Sequence, residues 1–169
     1  MGSTELYVTD ANALIQLCRQ FGKKAIRKLR TMAEEKTLRV PEGVVREILR
    51  GADQLARFVK KYRPNLEVSF KGDASLIREL SRIERTYGDS ISVGDSKYPG
   101  LWNSPGGRKS ADAQVIALAI VLSATVISDD RAVQTVCSLE GIPCIGWIEF
   151  AGRIGLKKPT QPSLFAKAY

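Results

Sequence analysis

The sequence predicts an α/β fold, a short parallel sheet flanked by helices on both faces. Short segments rich in Val, Ile and Thr, such as LYVT and TVIS, alternate with amphipathic segments of helical period outside the middle third. Parallel strands need long crossovers, and strands covered on both faces are rich in Val and Ile. A length of 169 residues with 44% apolar residues suits one domain with one packed core.

The first part of the chain predicts a strand followed by a mainly helical region. Gly22 breaks the first helix, and the second carries a basic outer face. Pro41 is expected in the first turn of the third helix, and Pro64 is expected to end the fourth. In order, the predicted elements are a strand at 6–9, a helix opening at 10–12, a helix at 23–35, a strand at 38–40, a helix after Pro41, a helix from Asp53, a minor strand at 66–70 and a helix at 74–87.

The rest of the chain predicts a long loop and then a return to alternating strands and helices. The segment 88–109 is rich in Gly, Pro, Ser and Asp and is interpreted as a loop that contacts substrate or partner. A strongly apolar helix is expected from Ser110, followed by a strand at 125–128, a helix ending near Gly141, a strand at 142–145 and a helix at 147–152. Residues 1–154 are predicted to form the domain and 155–169 a partly ordered tail.

Composition excludes several classes of chemistry. The chain has no His, which removes His-based nucleophiles, general bases and zinc sites. Cys18, Cys137 and Cys144 form no CxxC pair, so we expect three buried thiols in a reducing cytoplasm. No apolar run is long enough to span a bilayer, and no membrane association is expected. The formal charge of +8 favours an acidic polymer as partner, although it could serve solubility alone.

Carboxylates recur where strands end or where helices begin. Asp10 follows the first strand, Asp129 and Asp130 follow the strand TVIS, and Asp112 precedes the core positions of a buried helix. Glu47 borders the apolar face of its helix, and glycines at i−4 and i+4 leave it no helical ion pair at that spacing. Folding could therefore bring four carboxylates together at the carboxyl edge of the sheet.

Each of these acids has an ordinary structural explanation. Asp at a helix start caps the helix for roughly 1 kcal/mol, and an exposed Glu needs little explanation. Their combination favours a functional site, because gathered carboxylates raise one another's pKa unless a cation neutralises them. Hard oxygen ligands suit Mg²⁺ or Mn²⁺, which support phosphodiester displacement.

Three blocks of the sequence resemble the PIN-domain nucleases, including VapC-type toxins of prokaryotic toxin–antitoxin pairs. The blocks are VTDANALIQL, VPEGVVREIL and SADAQVIALAIVLSATVISDDRAVQTVCSLEGIPCIGW, while residues 51 to about 109 match nothing specific. The resemblance implies a PIN-like fold and a metal-binding acidic quartet with an alternative fourth ligand and two supporting polar groups. Carried over residue by residue, the quartet consists of Asp10, Glu47, Asp112 and Asp130. Asp129 is the alternative fourth ligand, and Asn12 and Ser128 are the supporting polar groups.

The resemblance also implies an activity and partners. It indicates a cytoplasmic Mg²⁺- or Mn²⁺-dependent ribonuclease that cleaves RNA, is usually a dimer and is often inhibited by an antitoxin. Two rival functions stay open: a DNA-directed nuclease on the same acidic scaffold, and a non-catalytic RNA-binding module in which the acids are only caps. A phospho-acceptor receiver domain is disfavoured, because its acidic pair would follow the first strand and a late strand would supply a Lys.

Basic groups form two helical clusters and one loop cluster. The ordinary interpretation of the two helical clusters is that they are solvent-exposed faces of their helices. The segment YPGLWNSPGGRK places Tyr98, Trp102, Arg108 and Lys109 near the acids, where they could stack on and hold single-stranded RNA. Trp102 could equally fill the core or a dimer interface. The helical clusters are Arg19, Lys23, Lys24, Arg27, Lys28 and Arg30, and then Arg57, Lys60, Lys61 and Arg63.

Overall fold

The computed structural model describes residues 4–103 and 111–156 and confirms the α/β class. Single strands alternate with one or two helices except in the middle, where a two-stranded hairpin and a short 3₁₀ helix at Leu101–Asn103 separate two helices. The elements in chain order are β1 Tyr7–Thr9, α1 Ala11–Phe21, α2 Lys23–Glu35, β2 Leu38–Pro41, α3 Glu42–Leu49, α4 Gln54–Leu66, β3 Glu67–Val68, α5 Ala74–Tyr87, β4 Ser90–Val93, β5 Ser96–Pro99, α6 Asp112–Leu122, β6 Thr125–Ile127, α7 Arg131–Glu140, β7 Cys144–Ile145 and α8 Trp147–Arg153.

Five strands form one parallel sheet in the order β3-β2-β1-β6-β7. The first strand lies at the centre, where Tyr7 is opposite Leu38 on one side and Thr125 on the other. The residues of β1 and β6 are all buried, as expected for strands covered on both faces. All carboxyl ends therefore meet at one edge of the sheet.

The helices form where the sequence supplies caps and stops. Asp10 accepts a hydrogen bond from the Ala13 backbone N–H at the start of α1, and Gly22 ends that helix at a φ of 52°. Asp53 and Asp73 cap α4 and α5 in the same way. These local signals explain why α2 and α5 have the predicted bounds.

Both proline predictions were wrong in detail. Pro41 is the last residue of β2 and the N-cap of α3, with extended backbone, rather than part of the first turn of α3. Pro64 lies inside α4, which continues to Leu66. Its ring fixes φ at a helical value and removes one N–H donor, so a helix about to end can include it at limited cost.

The prediction of one long loop over 88–109 was also wrong for the part that the structure describes. The strands β4 and β5 form an antiparallel hairpin, in which Val93 is paired with Ser96. Gly94, at a φ of 58°, and Asp95 form its two-residue turn, a dipeptide typical of hairpins. Residues 104–110, with the predicted helix start at Ser110, lie outside the described residues, and so does the tail from 157.

Two expectations from composition can be compared with the structure. Cys137 is buried, whereas Cys18 and Cys144 are only half-buried, so not all three thiols are in the core. None of the helices in residues 4–103 and 111–156 has the length and apolar character to cross a membrane.

Candidate active site at the carboxyl edge

The topology brings the starts of four elements to one edge of the sheet. Asp10 directly follows β1, α3 directly follows β2, and Ser128 with Asp129 and Asp130 follows β6. Helix α6 leads into β6 and, as a crossover helix, runs back along the sheet, so its first residue, Asp112, lies at this same edge. This carboxyl edge is where open α/β sheets bind ligands.

Asp10 is the buried acid of this edge. Its residue surface is only 7% exposed, one carboxylate oxygen accepts the Ala13 N–H at 2.8 Å, and the other accepts the Ser128 hydroxyl. Burial raises the pKa of Asp10, the hydrogen bonds from Ser128 and Ala13 oppose that rise, and repulsion by Asp130 and Asp129 adds to it. Asp10 is therefore a carboxyl group whose ionised form is disfavoured by its surroundings.

Ser128 links the loop after β6 to the loop after β1 by hydrogen bonds. Its side chain is fully buried, donates to Asp10 and accepts the Asp130 backbone N–H at 3.1 Å. The Ser128 carbonyl in turn accepts the Gln134 amide at 3.2 Å. This network fixes the loop after β6 against the loop after β1, although 118 residues separate Asp10 from Ser128.

Asp129 and Asp130 each accept a backbone N–H at the start of a different helix. Asp130 caps α7 by accepting the Val133 N–H at 3.0 Å, and Asp129 accepts the Trp147 N–H at 3.0 Å at the start of α8. A Cβ on Gly146 would come within 2.4 Å of the Asp129 carboxylate, so glycine permits that approach. Each oxygen of a carboxylate has two lone pairs, and these caps leave acceptor capacity on both acids.

Glu47 and Asp112 lie on two helices that meet closely. The Gly43 N–H donates to the Gln114 side chain at 2.8 Å, and a Cβ on Gly43 would come within 2.9 Å of the Ala111 Cβ. The first turns of α3 and α6 thus touch. Glu47 is exposed one turn after Gly43 on that face of α3, and Asp112 is half-buried in the first turn of α6.

The structure brings some predicted residues into direct contact and others only to the same edge. Asp10, Ser128 and Asp130 share hydrogen bonds, and Asp129 is near enough to Asp10 to repel it. Asn12 is exposed in the first turn of α1. Within residues 4–103 and 111–156, no three Asp, Glu, Cys or His side chains form a group that could hold a metal ion. The acidic quartet therefore stays a prediction.

The donor chemistry at this edge nonetheless fits a divalent cation. All candidate ligands are oxygens, as Mg²⁺ and Mn²⁺ prefer. Asp10 forms no salt bridge among the described residues, and its neighbouring acids raise its pKa, so a cation bound there would stabilise its ionised form. Asp10, Asp112 and Asp130, with Glu47, are the residues that would hold such an ion, and Asp129 is the alternative to Asp130.

The residues that position these acids were not predicted from the sequence. Gly43, Gln114 and Gly146 allow close approach between elements distant in the chain. A glycine in the first turn of a helix was the available signal for Gly43.

The aromatic residues predicted to hold RNA lie on different elements. Trp102 is half-buried and packs on the end of α5, because its indole is only 2.7 Å from the position that a Cβ on Gly88 would take. Tyr98 is 52% exposed on the hairpin, and Arg108 and Lys109 lie outside the described residues.

Replacing Ser128 by Ala tests the network around Asp10. We expect a loss of about 1–3 kcal/mol in unfolding free energy, because the buried carboxylate and the Asp130 N–H both lose a partner. The loss should be larger at neutral pH than near pH 4, since the lost bond favours ionised Asp10. Denaturant unfolding of Ser128→Ala is compared with the exposed control Ser138→Ala. A loss that does not change with pH would contradict the link to Asp10.

Comparisons with known proteins place the chain in a family and find solved structures that are similar to it, of which two are described. A family model described as "Domain of unknown function (DUF4411)" matches residues 7–157. No curated protein matches the chain in sequence. The crystal structure of PAE2754 from Pyrobaculum aerophilum is similar at 16% identity and a TM-score of 0.48, over 90% of this chain and 98% of that one. VapBC2 from Rickettsia felis, bound to a DNA fragment from its promoter, is similar at 13% identity and a TM-score of 0.48, over 84% and 98%.

Proposed function

The chain belongs to the DUF4411 family, and we propose that it is a Mg²⁺- or Mn²⁺-dependent endoribonuclease that hydrolyses RNA phosphodiester bonds at the carboxyl edge of its sheet. One observation carries the proposal. Asp10 is a buried carboxyl group, held by Ser128 beside Asp129 and Asp130, with no salt bridge among the described residues. The three blocks that resemble PIN-domain nucleases support the same function.

In this proposal each residue has a defined task. Asp10, Glu47, Asp112 and Asp130 bind the divalent cation and thereby orient the scissile phosphate at the edge. When bound, the cation supplies the positive charge that stabilises the negative charge developing on the phosphate oxygens. Ser128 holds the Asp10 carboxylate in one orientation, and Asn12, exposed beside it, is available to contact substrate.

The geometry favours Asp130 over Asp129 as the fourth ligand. The backbone N–H of Asp130 binds the Ser128 hydroxyl that also holds Asp10, so these two acids are fixed relative to each other. Asp129 is drawn toward α8 by the Trp147 N–H, and the missing Cβ of Gly146 gives it room there. We assign Asp129 to capping α8.

A non-catalytic RNA-binding module is the second candidate. The observation that favours it is that Asp10, Asp129 and Asp130 each accept a backbone N–H at a helix start, which helix capping alone would explain. Burial separates the two candidates: a cap works at the surface, as in exposed Asp53, whereas Asp10 is buried against neighbouring negative charge.

The decisive experiment measures cleavage of RNA and of DNA of the same sequence with Mg²⁺, with Mn²⁺ and with EDTA. We expect RNA cleavage only with the metals. We expect that cleavage to be lost in Asp112→Asn, because Asn has the shape of Asp but lacks the negative charge of a ligand. Calorimetry of metal binding accompanies the assay. Metal-independent cleavage, or full activity of Asp112→Asn, would contradict the proposal; preferred DNA cleavage would favour the DNA-directed alternative.

The resemblance to VapC-type toxins extends the proposal to biology. We propose that this nuclease is the toxin of a toxin–antitoxin pair, that it acts as a homodimer, and that an antitoxin inhibits it by placing a cationic side chain among the carboxylates. Expression of the wild type should then arrest growth, and Asp112→Asn should not. Equal growth arrest by both proteins would show that toxicity does not come from cleavage.

A further inference from the structure

Helices α2 and α4 both carry several exposed cations on their outer faces. The two helices pack against each other, and their buried residues face the core. Neither helix has an acidic residue except Glu34 and Glu35 at the end of α2. The α2–α4 basic face is defined by the exposed side chains of Lys23, Lys24, Arg27, Lys28, Arg30, Arg57, Lys60 and Lys61.

These cations are not neutralised by carboxylates within the described residues, although Arg57 donates a hydrogen bond to the Ala52 carbonyl at 3.4 Å and the Lys61 ammonium lies 5.6 Å from the centre of the Tyr62 ring. Among residues 4–103 and 111–156, every salt bridge involves Arg63, Arg82 or Arg153, and none involves the α2–α4 basic face. Lys23 and Arg27, and likewise Lys24 and Lys28, are like charges at a spacing of four residues, which is unfavourable for a helix on its own. The face therefore offers charge to an outside partner at a cost to local stability.

The chemistry of the face favours a phosphate polymer over a protein. Stable protein interfaces have an apolar centre and are poor in Lys. Within the described ranges, no large exposed hydrophobic side chain lies on α2 or α4. All such side chains are on other elements, namely Ile77, Val93, Tyr98, Val121, Leu139 and Ile148. Lys and Arg without apolar neighbours bind phosphates and release condensed counterions.

The face is connected to the candidate active site through α3. That helix carries Glu47, packs against α4 on one side and meets α6 at Gly43 on the other. We propose that the α2–α4 basic face binds the phosphodiester backbone of RNA that extends beyond the cleaved bond, so that it is a docking surface for long substrates. The choice of RNA rests on the proposed function; the binding of a phosphate backbone rests on the face itself.

Two triple variants with matched chemistry test the proposal. Lys23→Gln with Arg27→Gln and Arg30→Gln removes three cations from one stripe of the face. The control, Arg78→Gln with Arg85→Gln and Lys97→Gln, removes two Arg and one Lys that are exposed elsewhere and form no salt bridge among the described residues. Both triples lower the formal charge of +8 by three, and Gln preserves helix propensity.

Binding is measured on the full chain in EDTA, by fluorescence anisotropy of a labelled long oligoribonucleotide over a range of salt concentrations. The face triple should bind at least about tenfold more weakly at low salt, and the slope of log affinity against log salt should become shallower by about 2, or roughly 0.7 for each lost phosphate contact. The control triple should keep most of the affinity. With metal added, the face triple should raise KM for the long RNA and leave cleavage of a tetranucleotide unchanged.

Equal affinities and salt slopes for the two triples would overturn the proposal, and so would tighter binding of poly-glutamate than of RNA. Unfolding temperatures at or above that of the wild type would show that the variants fold. If the wild type cleaves no RNA but the triples still differ in binding, the docking surface stands and the proposed nuclease function fails.

Discussion

Asp10→Asn is expected to abolish RNA cleavage without unfolding the protein. Asn retains an oxygen to accept the Ala13 N–H and an amide that can contact Ser128, so the cap and the shape of the site persist. The variant lacks the buried negative charge that the proposed cation requires. Activity should fall on the order of 10²-fold or more, the size typical for one electrostatic group in an active site. Cleavage assays with Mn²⁺ and circular dichroism measure the two effects.

The stability of Asp10→Asn should depend on pH with a defined sign. The pKa of Asp10 is raised in the folded protein, mainly by burial, so the native state holds that proton more tightly than the unfolded chain does. Ionised Asp10 thus lowers native stability as pH rises through the folded-state pKa. In metal-free buffer the Asn variant should be more stable than wild type at neutral pH, and the gain should fade as pH falls toward the ordinary value of 3.8.

Asp53→Asn is the matched control, because Asp53 caps α4 with the same geometry but is exposed. It should leave cleavage unchanged. An Asp10→Asn protein that unfolds at neutral pH, or equal loss of activity in both variants, would support capping as the only role of Asp10.

Gly43→Ala is expected to damage both stability and cleavage. Its new methyl group would lie 2.6 Å from the Gln114 Oε1 and 2.9 Å from the Ala111 Cβ. The Gln114 side chain can rotate away, but the methyl group of Ala111 is fixed to the backbone, so α3 must shift from α6. Overpacking of this kind costs about 1–3 kcal/mol, which exceeds the gain of up to about 1 kcal/mol from helix propensity. The shift also separates Glu47 from Asp112, and small misplacements can lower rates by about 10²-fold.

Gly152→Ala is the control for this substitution. Gly152 is also helical, but among the described residues no atom outside its own helix lies within 4 Å of the position of the added Cβ. The control should gain about 0.5–1 kcal/mol in unfolding free energy and keep full activity. Gly43→Ala with Gln114→Ala should recover only part of the loss, because the contact with Ala111 persists. A Gly43→Ala protein as stable and active as wild type would show that the contact between α3 and α6 is not needed.

Local signals in the sequence predicted most elements of the fold. The start and end of α5 follow from Asp73, which caps it, and from Gly88, where it stops. Asp10 and Asp130, which come after strands, and Asp112, which begins the helix leading into β6, were predicted to lie at one edge because parallel strands share their carboxyl ends. The hairpin β4–β5 was missed because Gly, Ser, Asp and Pro dominate its composition, and only Ile91 among its strand residues is buried.

Contacts between distant segments could not be predicted in the same way. The hydrogen bond from Gly43 to Gln114 spans 71 positions, and nothing local to either residue specifies the other. The separate caps of Asp129 and Asp130 depend on where α8 starts relative to β6, which is a property of the packed sheet. Sequence motifs therefore supplied the candidate acids, whose role as a site stays a prediction, while their relative placement required the three-dimensional structure.

The central position of β1 affects when the site can form during synthesis. Strand β1 leaves the ribosome first but pairs with β6, whose Ile127 is opposite Thr9. Contacts of such long sequence separation form late in folding, and domains generally fold as units as the chain emerges. A nascent chain that ends before β6 has Asp10 without Ser128. Under the proposed function, the growing polypeptide is therefore inactive, and the ribosome and message that produce it would be exposed to cleavage only after β6 has been synthesised.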